Sequence, residues 1–412
     1  MPCSVVVGGG AVGTAIAQSL QVAGFTVSLV DPCDPQKPAS WGNAGHIAVE
    51  QIAPLASLAT LKGVPRRLLS AHGGLSMPVW ALPHWLPFSL RFLAAARPQR
   101  QAAGKSALRD LLALAMPAWE RYAAVLKQPG LLRADGHFIV WSDPAAAARG
   151  RRNWLEADCG TAYFREATSE EYSQLRSLTV KPLAGAIRCV GSGQIADMDL
   201  FASAARAGFV AAGGVTIRAR AVRLARAAGR VRVELASGRH LDADQVIVAA
   251  GVASRPLLES LGHRVPMIAE RGYHVQFGAE HWPRALPPVV FEEDATIVTR
   301  FQDVVRASSY LEFNTPWAPA DPRKWDIIEG VTREWGLPVA PRLSTWMGSR
   351  PTLPDYLPAI GKSRMADNLY YAFGHQHLGL TLAPITGELM TDLIRGRAGQ
   401  MSSQSFDLER FA

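Results

Sequence analysis

The 412-residue sequence predicts an α/β fold in which a domain with a parallel sheet is interleaved with a mixed α+β domain carrying a largely antiparallel sheet. Three observations predict it. Residues 5–31, VVVGGGAVGTAIAQSLQVAGFTVSLVD, read as strand, glycine turn, helix and strand. Residues 244–251, DQVIVAAG, form an apolar run ending in small residues, the pattern of a buried parallel strand. Elsewhere short β-branched and aromatic runs (136–141, 273–277, 289–291, 296–299 and 304–308) are separated by Pro-rich and acidic turns.

The first stretch also carries a site. Gly8, Gly10 and Gly13 place G-x-G-x-x-G where a helix begins with Ala11 and Val12. Gly8 allows the tight turn, Gly10 a close approach to a pyrophosphate and Gly13 close helix–strand packing, while the helix N-terminus offers free N–H groups. Asp31, ending the second strand, can accept hydrogen bonds from a ribose diol. This is a Rossmann-like dinucleotide site, and these residues alone leave NAD, NADP and FAD open.

Composition bounds the rest. The length suits two domains, and 48% hydrophobic with 19% charged residues describes a globular chain. The net charge of +8 has no dense Lys/Arg block behind it, which argues against a nucleic-acid partner and suits attraction of a carboxylate substrate. Cys3, Cys33, Cys159 and Cys189 form no CxxC pair, so neither a zinc site nor a disulfide framework is expected, in keeping with a reducing cytoplasm. No metal site is expected at all. No apolar run reaches the roughly 20 residues that span a bilayer, so the reading is a cytoplasmic protein, at most peripheral on the inner face of a membrane.

In chain order, residues 39–46 (ASWGNAGH) are small and polar, allowing backbone to approach a ligand. Residues 52–100 interleave Trp80, Trp85, Phe88 and Phe92 with Arg66, Arg67, Arg91, Arg97 and Arg100. Two readings stand there: a lid over an active site, or a seat on an anionic membrane interface. Residues 106–127 read as a helix bent near Pro117. Further helices are expected at 145–160, 200–212, 324–335 and 381–394, and strands at 215–218 and 369–372. Antiparallel strands are expected at 221–224, 231–235 and 240–241 around a Gly238 turn. Ala249, Ala250 and Gly251 would let backbone pass close to a nucleotide. The domains then divide as 1–50, 190–262 and 345–412 against 51–189 and 263–344, with a helical excursion at 52–127.

Five motifs in this order cover the whole chain: the glycine turn with Asp31, Ser40-xx-Asn43-Ala44-Gly45, Ala249-Ala250-Gly251, Gly348-Ser349-Arg350-Pro351, and Gly374-His375 with Leu378-Gly379. The combination resembles the FAD-dependent D-amino-acid dehydrogenase and glycine/sarcosine oxidase superfamily. It is most similar to the bacterial D-amino-acid dehydrogenase branch, including enzymes of 4-hydroxy-D-proline.

The resemblance implies a Rossmann-like FAD-binding domain beside a substrate domain, with FAD as cofactor. Gly8, Gly10, Ala11, Val12, Gly13 and Asp31 match the ADP-binding positions, and the Ala221–Val222 backbone would meet the adenine. Ser40, Asn43, Ala44, Gly45 and His46 would run along the pyrophosphate and isoalloxazine. Gly374, Leu378, Gly379, Leu380 and Thr381 match the turn before the last helix, whose positive end favours negative charge on the flavin. Arg350 falls where the family grips the substrate carboxylate, and Tyr273, His375 and His377 are further catalytic candidates. Segment 351–355, PTLPD, lacks the flavin-linking cysteine of the sarcosine oxidases, which implies non-covalent FAD. Arg306 falls where those oxidases keep an oxygen-activating lysine, which favours a dehydrogenase. The implied reaction is hydride transfer from Cα of a D-amino acid, of D-proline or 4-hydroxy-D-proline type, to flavin N5. Electrons would leave to a quinone or an electron-transfer protein. A glycine/sarcosine-type oxidase and a non-catalytic FAD-binding subunit of a larger dehydrogenase are the alternatives, and the oligomeric state stays open.

Overall fold

The structure, a computed structural model, describes residues 1–34, 38–57, 60, 64, 74–397 and 403–412. Strand Cys3–Val7 lies at the centre of a six-stranded sheet, with Thr26–Asp31 and Val215–Arg218 on one side and Gln245–Val248, Leu369–Phe373 and Ala359–Lys362 on the other. All neighbours pair in parallel except the edge strand Ala359–Lys362. The apolar run at 246–248 is fully buried because a core packs on each face of the sheet, Ile247 in one and Val246 and Val248 in the other. Helix Ala11–Val22 buries Ala11, Ala15, Ile16 and Leu20. It packs so closely on helix Ala383–Ile394 that a Cβ on Gly387 would sit 2.7 Å from the Ala15 carbonyl oxygen.

The second layer is a nine-stranded sheet. Its order is Arg342–Thr352, Ile268–Gly278, Val304–Asn314, Thr296–Arg300, Val289–Phe291, His137–Trp141, Gly185–Val190 and Tyr163–Glu166, with Leu75–Ser76 beside Val304–Asn314. Pairing is antiparallel except between Val289–Phe291 and His137–Trp141 and at Leu75–Ser76. Ala221–Ala227, Arg230–Leu235 and His240–Asp242 form a separate antiparallel meander. The short strands His46–Ile47, Gly193–Ile195 and Leu132–Arg133 make a fourth sheet.

Three expectations need correction. The helix read at 106–127 is two helices, Pro98–Ala113 and Ala115–Val125, broken at Leu114. Pro117 has no N–H for the Ala113 carbonyl, a loss that costs least in a first turn, so the break falls before it rather than at it. The helix read from 145 to 160 stops at Leu155. The boundary at 345 cuts strand Arg342–Thr352, which lies wholly in the nine-stranded sheet and carries Arg350 across to it. Arg66 and Arg67 lie outside the described residues. Among the described residues no helix is long and apolar enough to cross a membrane.

Candidate active site

A cavity of about 1110 Å³ runs from the C-terminal ends of the parallel strands to the face of the nine-stranded sheet. At its first end the glycine turn leaves no room for side chains. Gly8 has φ +113°, and a Cβ there would lie 2.4 Å from the Ala249 carbonyl oxygen; one on Gly13 would lie 1.9 Å from that of Gly8. Asp31 organises the turn, its Oδ2 accepting from Gly9 N at 2.6 Å and its Oδ1 from Cys33 N at 2.6 Å. Helix Ala11–Val22 begins at Gly10 with no side chain capping it from that position, and Ser40 Oγ accepts from Ala11 N at 3.0 Å. The result is a small-residue cradle at a positive helix end, the form a pyrophosphate requires.

Segment 40–46 is held against this cradle from the opposite sheet. Arg306 donates to the carbonyls of Trp41 and Asn43, and His274 Nδ1 lies 3.0 Å from the Gly42 carbonyl. The Trp346 indole stacks on His274 at 5.1 Å and fills the space a Cβ on Gly42 would need. Arg306 is therefore a buried clamp and lies off the cavity, its pKa pulled down to about 10 by burial. Asn43 Oδ1 accepts from Gly45 N at 2.8 Å, and Gly45 takes φ +77°.

The last turn closes the far side. Thr381 Oγ1 accepts from Ala48 N at 2.9 Å, and Trp119 Nε1 donates to the carbonyls of Leu380 and Thr381. His375 Nε2 lies 3.0 Å from Thr386 Oγ1, while His377 Nε2 meets Gln51 Oε1. Burial pushes both imidazoles down to about 3, helped at His377 by the Arg350 guanidinium and His46.

Arg350 lines the cavity with its side chain 28% exposed, and its Nη1 donates to Glu270 Oε1 at 3.1 Å and to the Tyr310 carbonyl at 3.3 Å. Gly272 makes room for it: a Cβ there would sit 2.2 Å from Arg350 Nη2. Glu270 also accepts from Tyr356 Oη at 2.8 Å and Thr352 Oγ1 at 3.3 Å. Tyr273 reaches the cavity wall, but its hydroxyl is committed to Glu312 Oε2 at 2.7 Å, and burial followed by that carboxylate raises its pKa.

The fold thus brings Gly8, Gly10, Val12, Asp31, Ser40, Asn43, Ala44, His46, Ala249, Ala250, Gly251, Tyr273, Arg350, His375, His377, Gly379 and Leu380 to one cavity. Ala11, Gly13, Gly45, Gly374, Leu378 and Thr381 stand behind its wall as packing or hydrogen-bonding support. Val222 does not reach it; the half-exposed side chain sits on the outer meander, and Ala219, Arg220 and Ala221 line the cavity instead. Sequence reasoning missed Glu270, Gly272, His274 and Trp346. The visible signal was two charges and a glycine, Glu270-Arg271-Gly272, inside an otherwise buried strand. It also missed His46, Glu50 and His137 as a group, whose ligand-capable atoms lie within 4.8 Å of one another where no metal-binding residues were expected. Burial lowers the His46 pKa to about 4 and raises that of Glu50 to about 7.

The chain has relatives among known proteins. The chain is 29% identical to a D-amino-acid oxidase of Bradyrhizobium diazoefficiens, covering 98% of each chain. It is 30% identical to D-amino acid dehydrogenase 2 of Ralstonia nicotianae, over 98% of this chain and 99% of the relative. Its fold matches iminodiacetate oxidase from Chelativorans sp. BNC1 (TM-score 0.73, 18% identity, 98% of each chain). Glycine oxidase from Geobacillus kaustophilus matches with a TM-score of 0.70 at 17% identity, covering 99% of each chain. The family described as DAO, FAD dependent oxidoreductase, matches residues 4–393, and the glycine turn, the helix end behind it and the clamped segment 40–46 fit FAD. The chain belongs to this family of FAD-dependent oxidoreductases and is an amino-acid oxidoreductase.

Proposed function

We propose that the enzyme dehydrogenates a D-amino acid of the D-proline or 4-hydroxy-D-proline type, giving a cyclic imine. The observation that carries this reading is Arg350, a guanidinium fixed by Glu270 and turned into a cavity whose wall nearby is apolar and aromatic, with Trp85, Phe88, Phe92 and Tyr310. A planar guanidinium grips a carboxylate through two parallel hydrogen bonds, and an apolar wall suits a pyrrolidine ring. FAD held by the glycine turn and segment 40–46 would supply a two-electron acceptor for the hydride of Cα, with the amine lone pair left to form the C=N bond. The chain's own work is placement: Arg350 holds the carboxylate, Tyr310 supplies a carbonyl to the same guanidinium, and His375 and His377 stay neutral. Bases at about 3 take no proton from a substrate ammonium, so that proton leaves to solvent. A linear substrate's imine would hydrolyse to a 2-oxo acid and ammonia.

For the acceptor, the reading is a quinone at a membrane surface, with peripheral contact through the excursion. No Asp or Glu lies between Glu50 and Asp110. Within that span Val79 and Trp80 are 84% and 63% exposed, and helix Leu82–Ala95 also exposes Leu86, Leu90 and Leu93. Exposed apolar residues on a wholly basic segment suit an anionic interface. Met77, Trp85, Phe88 and Phe92 of the same segment line the cavity, which supports an apolar route from that segment into it. The second reading, an oxidase making hydrogen peroxide, is favoured by the relative named D-amino-acid oxidase.

The test is anaerobic addition of D-proline, 4-hydroxy-D-proline, D-alanine and sarcosine to the yellow holoenzyme. Bleaching fastest with the two prolines is expected. Bleaching by sarcosine alone would overturn the substrate reading. Reoxidation by a soluble quinone analogue faster than by air supports the dehydrogenase; stoichiometric peroxide in air would make it an oxidase.

A further inference from the structure

His46, on the segment that lines the cavity, forms with Glu50 and His137 a cluster that takes no step in the chemistry above. We propose that they bind a divalent cation of the zinc class in the wall of the cavity. The observations are geometric. His46 Nε2 lies 3.7 Å from Glu50 Oε1, the His46 and His137 rings meet edge to face at 4.4 Å, and the three donor atoms fall within 4.8 Å of one another. Tetrahedral zinc, with bonds near 2.0–2.1 Å, sets its donors about 3.4 Å apart, so a small rotation of the side chains closes the set.

Independent evidence for a ligand comes from what is left unpaired. His46 Nε2 and Glu50 Oε2 are buried with no hydrogen-bond partner, and no Lys or Arg among the described residues pairs with Glu50, whose side chain is 1% exposed. A carboxylate buried between two imidazoles is costly unless a cation neutralises it. The supporting shell is present as well. His137 Nδ1 lies 3.0 Å from Ser192 Oγ, which fixes the ring and leaves the other nitrogen to a ligand. Two neutral nitrogens and one carboxylate oxygen are a borderline donor set that suits zinc rather than calcium or magnesium. All three residues line the cavity, so the fourth position opens to water or to a ligand entering from it. The neighbouring carboxylate Glu292 lines the same wall but is not available, since the indoles of Trp141 and Trp154 both donate to it. The cation would hold strand His46–Ile47, which follows the flavin-facing segment, against strand His137–Trp141 of the other sheet.

The holoenzyme is dialysed against a chelator, exposed to ZnCl2 and freed of excess. Bound zinc is measured by atomic emission and thermal stability with and without ZnCl2. Roughly one zinc per chain and a raised Tm are expected, with affinity falling about 10–100-fold in Ser192→Ala and further in Glu50→Gln and His137→Ala. Wild-type protein that holds no zinc above the buffer control, or Glu50→Gln and His137→Ala proteins that hold it as tightly as wild type, would overturn the site. If the His137 variant fails to retain flavin, the wild-type zinc content and the Ser192→Ala affinity still decide. Neither readout depends on which amino acid bleaches the flavin.

Discussion

Glu270 and Arg350 are direct partners across adjacent antiparallel strands, and Glu270 Oε1 accepts from Arg350 Nη1 at 3.1 Å. The register of one strand pair therefore aims the guanidinium. Arg350→Ala is expected to retain flavin and lose roughly 10²–10⁴-fold in kcat/KM for D-amino acids, mostly through KM, the value of two charge-assisted hydrogen bonds. Arg350→Lys should recover only part of it. Unchanged KM in the alanine variant would remove Arg350 from the site. Glu270→Gln, which frees the guanidinium from its fixed partner, should raise KM about 10-fold with flavin content unchanged.

The pH dependence follows from the two histidines of the last turn. Both are pushed down to about 3, so they are uncharged throughout the working range and contribute no limb near the usual histidine value. kcat/KM should rise with pH as the substrate amine loses its proton, and His377→Asn should leave the profile's shape between about pH 6 and 9 unchanged. A limb in the wild-type profile that disappears in this variant would contradict the assignment.

Gly13→Ala places a methyl 1.9 Å from the backbone oxygen of Gly8, with no flexible side chain to give way. Purified variant is expected to show a flavin-to-protein absorbance ratio far below that of wild type. Gly229→Ala, at a turn with open space around it but φ +80°, is expected to keep flavin and lose about 1 kcal/mol of stability.

Acid sensitivity away from the site should centre on Glu171. Arg165 donates to both its carboxylate oxygens at 2.7 Å, Arg188 donates to it as well, and it caps helix Ser169–Ser177. Bonding to Arg165 brings its pKa down to about 2. A depressed carboxylate pKa gives stability that is complete above the unfolded value and is lost as pH falls through the folded one. Glu171→Gln should therefore cost about 2 kcal/mol at neutral pH in urea unfolding and almost nothing near pH 2.

What the sequence revealed follows from which interactions are local. The glycine turn, helix Ala11–Val22 and strand Thr26–Asp31 were legible because steric and periodic constraints act within a few residues. The strand at 246–248 was legible because burial on both faces demands an apolar run. Arg350 stood out through its motif and lines the cavity, but its aim depends on Glu270, eighty positions away in the chain, and on the gap above Gly272. His137 joins His46 and Glu50 only because strand His137–Trp141 passes that point of the second sheet. The clamp made by Arg306 was invisible for the same reason: its carbonyl partners at Trp41 and Asn43 lie in another sheet's loop, and no local pattern encodes them.

That clamp has a thermodynamic consequence. Arg306 and His274 extend from the antiparallel sheet to the backbone of the segment that lines the cavity, so neither sheet alone presents a finished binding surface. Cofactor affinity and the cohesion between the two halves of the molecule are then one coupled quantity. Holoenzyme should melt in a single calorimetric transition that releases its flavin, and apoprotein should melt earlier and over a broader range.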